Sequence, residues 1–213
     1  MPDRPSGQKA GLSRERVLDA ALELIDAHGL PALSMRKLGA ELGVEGMSLY
    51  RHVPNKASLL DGLVDRVMET AFAGLTLDGD GSWVPWMRQF AHSLRAALLA
   101  HPGVLPLAAT RPVNSPDALR MSERWLAAMR AAGLPLGRAM DVVNVLATFT
   151  IGHTLAEVGR TPGHEGTEPT LDDSALDPAE FPNLAEVVAT RAGLDFDSRF
   201  TEAVEILLAG YAR

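Results

Sequence analysis

The chain has no cysteine among its 213 residues, which removes disulfide frameworks and thiolate metal sites together. Lysine is almost as scarce. Lys9, Lys37 and Lys56 are the whole complement, and all three fall within the first 56 residues. The start, Met1-Pro2-Asp3-Arg4-Pro5-Ser6-Gly7-Gln8-Lys9, lacks the apolar centre of a signal peptide. No apolar run has the length of a membrane span. The nearest, Val142 to Leu155, is too short and holds Asn144 and His153. A soluble cytoplasmic protein with no membrane partner is the expectation. Catalytic signatures are missing too: there is no phosphate-binding glycine loop, nucleophile elbow or dinucleotide fingerprint. His164-Glu165-Gly166-Thr167-Glu168 lacks the second histidine of a zinc-protease helix and lies in a Pro/Gly-rich stretch. The residues therefore argue against an enzyme and call for no cofactor.

What is present is an ordinary globular composition, 46% hydrophobic and 22% charged, too apolar for disorder. The net charge is −7, unevenly spread. Residues 1–56 carry eight Lys+Arg against seven Asp+Glu, whereas the remainder carries twelve against twenty. A near-neutral, slightly basic head on an acidic body fits a small nucleic-acid module joined to a larger domain. The acidic body would suppress indiscriminate DNA binding.

Apolar residues recur at helical spacing almost throughout, and no alternating strand pattern survives inspection. Ser13 is placed to cap a first helix through His28, with Leu12 and Val17 as a hydrophobic staple and Gly29 as its stop. Ser34 can cap a second helix through Leu42, closed by Gly43. A third runs from Gly46 to His52, and Asn55 caps a long fourth with its stripe at Leu59, Leu63, Val67 and Phe72. Leu77-Asp78-Gly79-Asp80-Gly81 ends that linker. Helical segments follow near 83–100, 116–132, 137–159, 181–191 and 197–212, with a long loop between Gly159 and Pro178. The fold class is all-α.

Two short helices hinged at a glycine form the layout that places one helix in the DNA major groove. Leu38, Leu42, Val44 and Leu49 would pack this module, and Gly43 permits the left-handed backbone of a tight turn. The second helix then offers Gly46, Met47, Ser48 and Arg51 to base edges. Tyr50 and His52 can reach phosphate oxygens, and Lys56 sits where free N–H groups at the start of the next helix also attract a phosphate. Arg36 is placed for a base or a phosphate. A Gly-turned hairpin alone would serve equally well as plain structure; the Leu49-Tyr50-Arg51-His52 cluster followed by Asn55-Lys56 is what makes it specific.

On those residues, 13–72 resembles the DNA-binding domain of the tetracycline-repressor (TetR) family. The resemblance implies that residues 46–52 form the recognition helix, with Tyr50 and Lys56 on phosphates. It also implies a homodimer reading a near-palindromic operator in double-stranded DNA, with half-sites roughly 34–36 Å or a multiple apart. The corresponding architecture is an N-terminal three-helix helix-turn-helix domain with its linker helix, 12–72, and a helical effector-binding and dimerisation domain, 73–213.

Further along, Ser82-Trp83, Ala97 to His101, Thr110-Arg111-Pro112 and Phe149-Thr150-Ile151-Gly152 resemble landmarks of the tetracycline-repressor subgroup. Its polar drug site is not retained: Phe72, Phe90, Leu107 and Thr148 stand at those positions, with Leu107 in place of a metal-binding histidine. The candidate lining is instead apolar and aromatic: Phe72, Trp86, Phe90, Leu94, Leu107, Trp125, Met129 and Phe149. Thr110, Arg111, Thr148 and His153 are its sparse polar groups. Such a lining suits a mostly apolar small molecule, although the same stripes would serve equally well as core. His153 and Glu157 have i, i+4 spacing, but a core or interface histidine is the commoner use, so no metal is assigned. The segment 138–157 is apolar nearly all round and must be buried on two sides. With 197–212 it is where the family builds its dimer, an isologous bundle. The resulting expectation is a ligand-responsive regulator, a repressor by family habit. The alternative is a helical dimer that sequesters a small molecule without reading specific DNA.

Overall fold

The computed structural model describes residues 11–73, 81–111, 113, 115–158, 176–191 and 193–212, and within them the regular structure is helical. Helix α1, Arg14–His28, starts where the Ser13 hydroxyl accepts from the Arg16 N–H at 3.3 Å. It stops at Gly29, whose φ of +76° costs a residue without Cβ nothing. Helix α2, Met35–Glu41, is capped by Ser34 in the same manner. Helix α3, Gly46–Leu49, follows the left-handed Gly43. Helix α4, Lys56–Ala73, opens with the Asn55 side chain accepting from the Ser58 N–H at 2.8 Å. The three side-chain caps expected from the sequence, Ser13, Ser34 and Asn55, are in place, because each satisfies backbone groups that a helix end leaves open.

The third helix is shorter than its predicted range. It ends at Leu49, and Tyr50 to His52 continue as turns, with His52 and Val53 N–H groups both donating to the Leu49 carbonyl. Two consecutive bonds onto one acceptor tighten the backbone before Val53-Pro54. Residues 74–80, the predicted end of the linker, lie outside the described residues. So do Pro112, most of the predicted 159–178 loop and the whole of His164 to Glu168.

In the body, α5 (Val84–Ala100), α7 (Pro116–Ala131), α8 (Leu136–Val158), α9 (Pro182–Thr190) and α10 (Phe196–Tyr211) match the predicted segments within a residue or two. Not predicted was α6, Leu105–Ala108, a four-residue helix entered through a 3₁₀ turn at Pro102–Val104. It is too short to show periodicity. Helix α4 packs on α5, α5 on α8, and α10 on both α8 and α5, while α6 touches α4. One buried core runs without a break from Val17 in α1 to Leu208 in α10.

Helix α8 corrects the expectation about the length of its apolar run. At 23 residues it passes uninterrupted through Asn144 and His153, long and apolar enough by length and composition to cross a membrane. Its buried positions, Ala139, Val142, Leu146, Thr150 and Thr154, form one stripe facing the body. The opposite side leaves Met140 and Leu155 exposed, as α10 leaves Ile206. Only 28% of the apolar stretch is buried within one chain, so a single copy covers one of the two sides that the sequence requires to be covered.

Candidate nucleic-acid interface and the buried aromatic cluster

The helix pair α2–α3 is built on backbone contact. A Cβ placed on Gly39 would lie 2.8 Å from the Val44 carbonyl oxygen and 2.9 Å from the Gly46 nitrogen. One placed on Gly46 would lie 3.0 Å from the Met35 carbonyl oxygen. Gly39 is therefore needed for the two helices to cross with their backbones touching, and Gly46 makes the crossing tight from the other side. Gly46 reads in sequence as a weak helix former at the recognition helix's entrance, and as a base-facing residue. Its packing against α2 is the reason it is tolerated there. Leu49, fully buried, pins α3 from below.

Above that anchor the module presents an open row. Met47 is 74% exposed, and Tyr50 and Arg51 are exposed, with Ser48 and His52 half-buried between them. Arg36 is exposed at the start of α2. Neither Arg36 nor Arg51 makes an ion pair among the described residues, so both guanidinium groups keep their donors for an outside partner. Lys56 differs from its predicted role in one respect. Its ammonium donates to the Leu33 carbonyl at 3.0 Å, tying α4 to the end of the α1–α2 connection. An ammonium has three N–H groups, so this bond positions the charge without exhausting it.

The twelve candidate ligand residues do not form one lining. Phe72, in the last turn of α4, stacks on Phe90 of α5 with ring centroids 4.9 Å apart and meets Trp125 of α7 at 5.3 Å. Trp86, Leu94, Leu107 and Met129 are buried in the same core. Phe149 and His153 belong instead to a second cluster, packed on Phe200 of α10 at 5.6 and 5.2 Å. Thr148 is exposed on α8, on the side turned away from the body. Thr110 is exposed as well, and its hydroxyl donates to the Pro106 carbonyl at 2.7 Å. Arg111 reaches α4, where it pairs with the Asp61 carboxylate and donates to the Ala57 carbonyl at 3.4 Å. None of the four polar candidates is shown facing the Phe72–Phe90–Trp125 rings. A helix apolar on most sides does not reveal in sequence which side meets which neighbour, and this produced the mixing.

His153 is nearly closed off, and burial pushes its pKa below the ordinary histidine range, with the Arg95 charge acting in the same direction. Neither ring nitrogen has a hydrogen-bond partner among the described residues. Its Nδ1 is 4.0 Å from a Glu157 carboxylate that Arg95 already holds at 2.8 Å, which leaves little for a metal. Asp65, on the buried side of α4, was not among the candidates. Burial raises its pKa, opposed by hydrogen bonds from Ser115. Within Leu63-Val64-Asp65-Arg66 it reads as an ordinary surface charge, and nothing local marks it out. Two open grooves are also present. One, of about 330 Å³, lies along α1 and α4 beside Asp19, Arg66 and His101; the other, of about 470 Å³, borders α7 and Leu136. Neither reaches the aromatic cluster, whose rings are packed on one another.

A model of bacterial regulatory proteins of the tetR family matches residues 17–63, and a model of the tetracyclin repressor-like C-terminal domain matches residues 75–213. The chain belongs to the TetR family. Among its relatives is the HTH-type transcriptional repressor DrrR1 of Streptomyces coeruleorubidus, 32% identical over 97% of this chain and 82% of that protein. The class D tetracycline repressor of Escherichia coli is 31% identical over 95% of this chain and 90% of its own length. Among solved TetR-family structures, ActR of Streptomyces coelicolor in complex with actinorhodin superposes with a TM-score of 0.74 at 32% identity, covering 95% of this chain and 98% of that one. These relatives are regulators, and the matched models describe regulators rather than a catalytic family.

Proposed function

We propose that this TetR-family protein is a ligand-responsive transcriptional repressor. It would bind a near-palindromic operator as a homodimer and be released when a mostly apolar, aromatic small molecule enters the body. The observation that carries this reading is α4 itself. At one end its first residue, Lys56, is tied to the DNA-binding module; at the other, Phe72 is stacked between rings of α5 and α7. The helix spans 18 residues, about 27 Å at 1.5 Å per residue. A planar molecule inserted among Phe72, Phe90 and Trp125 must spread those rings. Helix α4 then moves, and the separation of the two recognition rows changes with it. The coupling is worth only what the effector's affinity differs by between the two arrangements.

In this reading Met47, Ser48 and Arg51 meet base edges. Tyr50, His52 and Lys56 meet phosphates, and Arg36 meets one or the other. The division falls at 72/73, and the uncovered sides of α8 and α10 pair with a second copy. ActR's ligand in the matched structure is actinorhodin; an aromatic effector here would be in keeping with that, and with the loss of polar residues around the rings. The cytoplasm is the corresponding site of action.

The test is selection of duplexes from a random DNA pool by the purified protein, followed by salt titration of the enriched sequences. The expected outcome is a two-fold symmetric site whose affinity falls steeply with salt. Folded dimer that enriches no sequence at low salt would overturn the regulator reading in favour of sequestration.

A further inference from the structure

Helix α6 is fastened to the DNA-binding module at both ends, and to a different helix at each. Just after it, Arg111 holds Asp61 and the Ala57 carbonyl of α4. Just before it, the corner that opens it is held by Asp26, in the last turn of α1. One Asp26 carboxylate oxygen lies 2.7 Å from His101 Nδ1, and the other accepts from the Gly103 N–H at 3.2 Å. The fit is tight enough that a side chain here would have to push its neighbours aside. A Cβ on Gly103 would lie 3.0 Å from the Ile25 carbonyl oxygen and 3.1 Å from Asp26 Oδ1.

Resting on the regulator reading above, we propose that Asp26 is a positioning residue: it fixes the angle of the DNA-binding module against the body, giving the body a second hold on that module besides α4. Three features of the joint point to angle rather than stability. The two side chains are only partly buried, at 35% and 23% exposure, and a pair so open to water adds little to folding. Both carboxylate oxygens are used, on two groups two residues apart in chain, so the contact resists rotation as well as separation. Finally, the partners lie at the one corner that leads directly into Leu107, a member of the aromatic core. A carboxylate gripping both a ring nitrogen and a backbone N–H defines a plane, and α1 cannot swing without breaking one of the bonds.

The chain's lack of cysteine makes the angle measurable. Spin labels on Glu41→Cys in the module and Arg124→Cys in the body, both exposed positions, report one distance within a chain when labelled protein is diluted with unlabelled. The expected result is a single narrow distribution in the parent that widens by about twofold or more in Asp26→Asn and in His101→Ala, as a released hinge would. Helical content and the melting temperature stay near the parent's. On a duplex selected by the parent, Asp26→Asn should lose about tenfold more affinity than it loses on a single half-site, because only the full site senses the angle. A distance distribution unchanged in both variants overturns the proposal, even if operator binding falls. If no duplex is ever enriched but the distribution widens, the joint stands and the regulator reading is what has failed.

Discussion

The two ends of this molecule carry function in opposite ways. The N-terminal module brings backbones into contact at Gly39 and Gly46 so that side chains can be left out in solvent. The body buries its distinctive side chains, Phe72, Phe90 and Trp125, ring against ring. An exposed row on a short helix has no packing reason to exist, so its residues point to a partner. A buried aromatic always has a packing reason, so it points to a partner only when something else does. That asymmetry decides which experiments separate role from structure at each end.

The largest expected effect is in the body. Phe90 is fully buried, and Phe90→Ala should cost about 3–5 kcal/mol of stability. Phe72 is half-buried, so Phe72→Ala should cost roughly half as much. Because it ends α4, it should also shift operator affinity in the protein that remains folded. Chemical denaturation gives the first quantity and titration of the selected duplex the second. If Phe72→Ala lowers stability while leaving affinity per folded dimer unchanged, the cluster is core only and the contrast between the two ends disappears.

At the other end, Gly39→Val drives a side chain into the Val44 carbonyl. Overpacking of this kind costs about 1–3 kcal/mol. Here the strain falls on the geometry of α2 and α3, and about a hundredfold loss of operator affinity is expected, equivalent to about 2.7 kcal/mol. All three tryptophans, Trp83, Trp86 and Trp125, lie in the body, so their near-ultraviolet signal should be unchanged. Loss of that signal together with binding would mean that the strain is not confined to the module.

How much of this was legible beforehand follows the same contrast. Ser13, Ser34, Asn55 and Gly43 marked the module's boundaries because capping and left-handed turns demand particular residue types at particular places. The module's exposed row was legible for the same reason. The packing of Gly46 against α2 was not legible, since close approach of two backbones leaves no trace in the sequence around it. In the body the helices were found, but not the sides they turn to one another. Thr148 lies on the exposed side of α8, and Phe149 and His153 pack on Phe200 rather than on Phe72. The four-residue α6 was invisible because it is too short to show periodicity, and the joint at Asp26 because its partners lie 75 positions apart.

Smaller effects should sharpen the exposed row. Arg51→Ala is expected to cost about 1–3 kcal/mol and to relax base preference at one position of each half-site, as is Ser48→Ala to a lesser extent. Lys56→Ala should instead weaken binding about equally on all sequences and reduce the salt slope by about one. Since its ammonium also holds the Leu33 carbonyl, a loss of about 0.5–1.5 kcal/mol in stability should accompany it. Binding curves on the selected site, on single-base variants and across salt separate the two classes. An Arg51→Ala protein with unchanged affinity and preference would show that the recognition face is wrongly placed.

The smallest expected effect lies where α10 meets the body. Phe200 is fully buried between His92 and His153, each with its ring centroid 5.2 Å away. Burial holds both histidines below the ordinary value of 6.5, and Arg95 adds to the shift in each. Glu205 opposes it at His92, as Glu157 and Asp197 do at His153. The sign follows from proton binding. Well above pH 6.5 both folded and unfolded histidines are neutral, and the pair imposes no pH dependence. As pH falls through 6.5, the unfolded chain takes up protons that the folded chain refuses, so stability is lost until the lowered folded value is passed. Melting temperatures at about pH 7.5 and 5.5 should therefore fall for the parent, less for His92→Phe or His153→Phe, and least for the double variant. A double variant that loses as much as the parent over that interval would mean that the folded rings take up protons as readily as the unfolded ones do. Phe200 would then sit between charges at the lower pH.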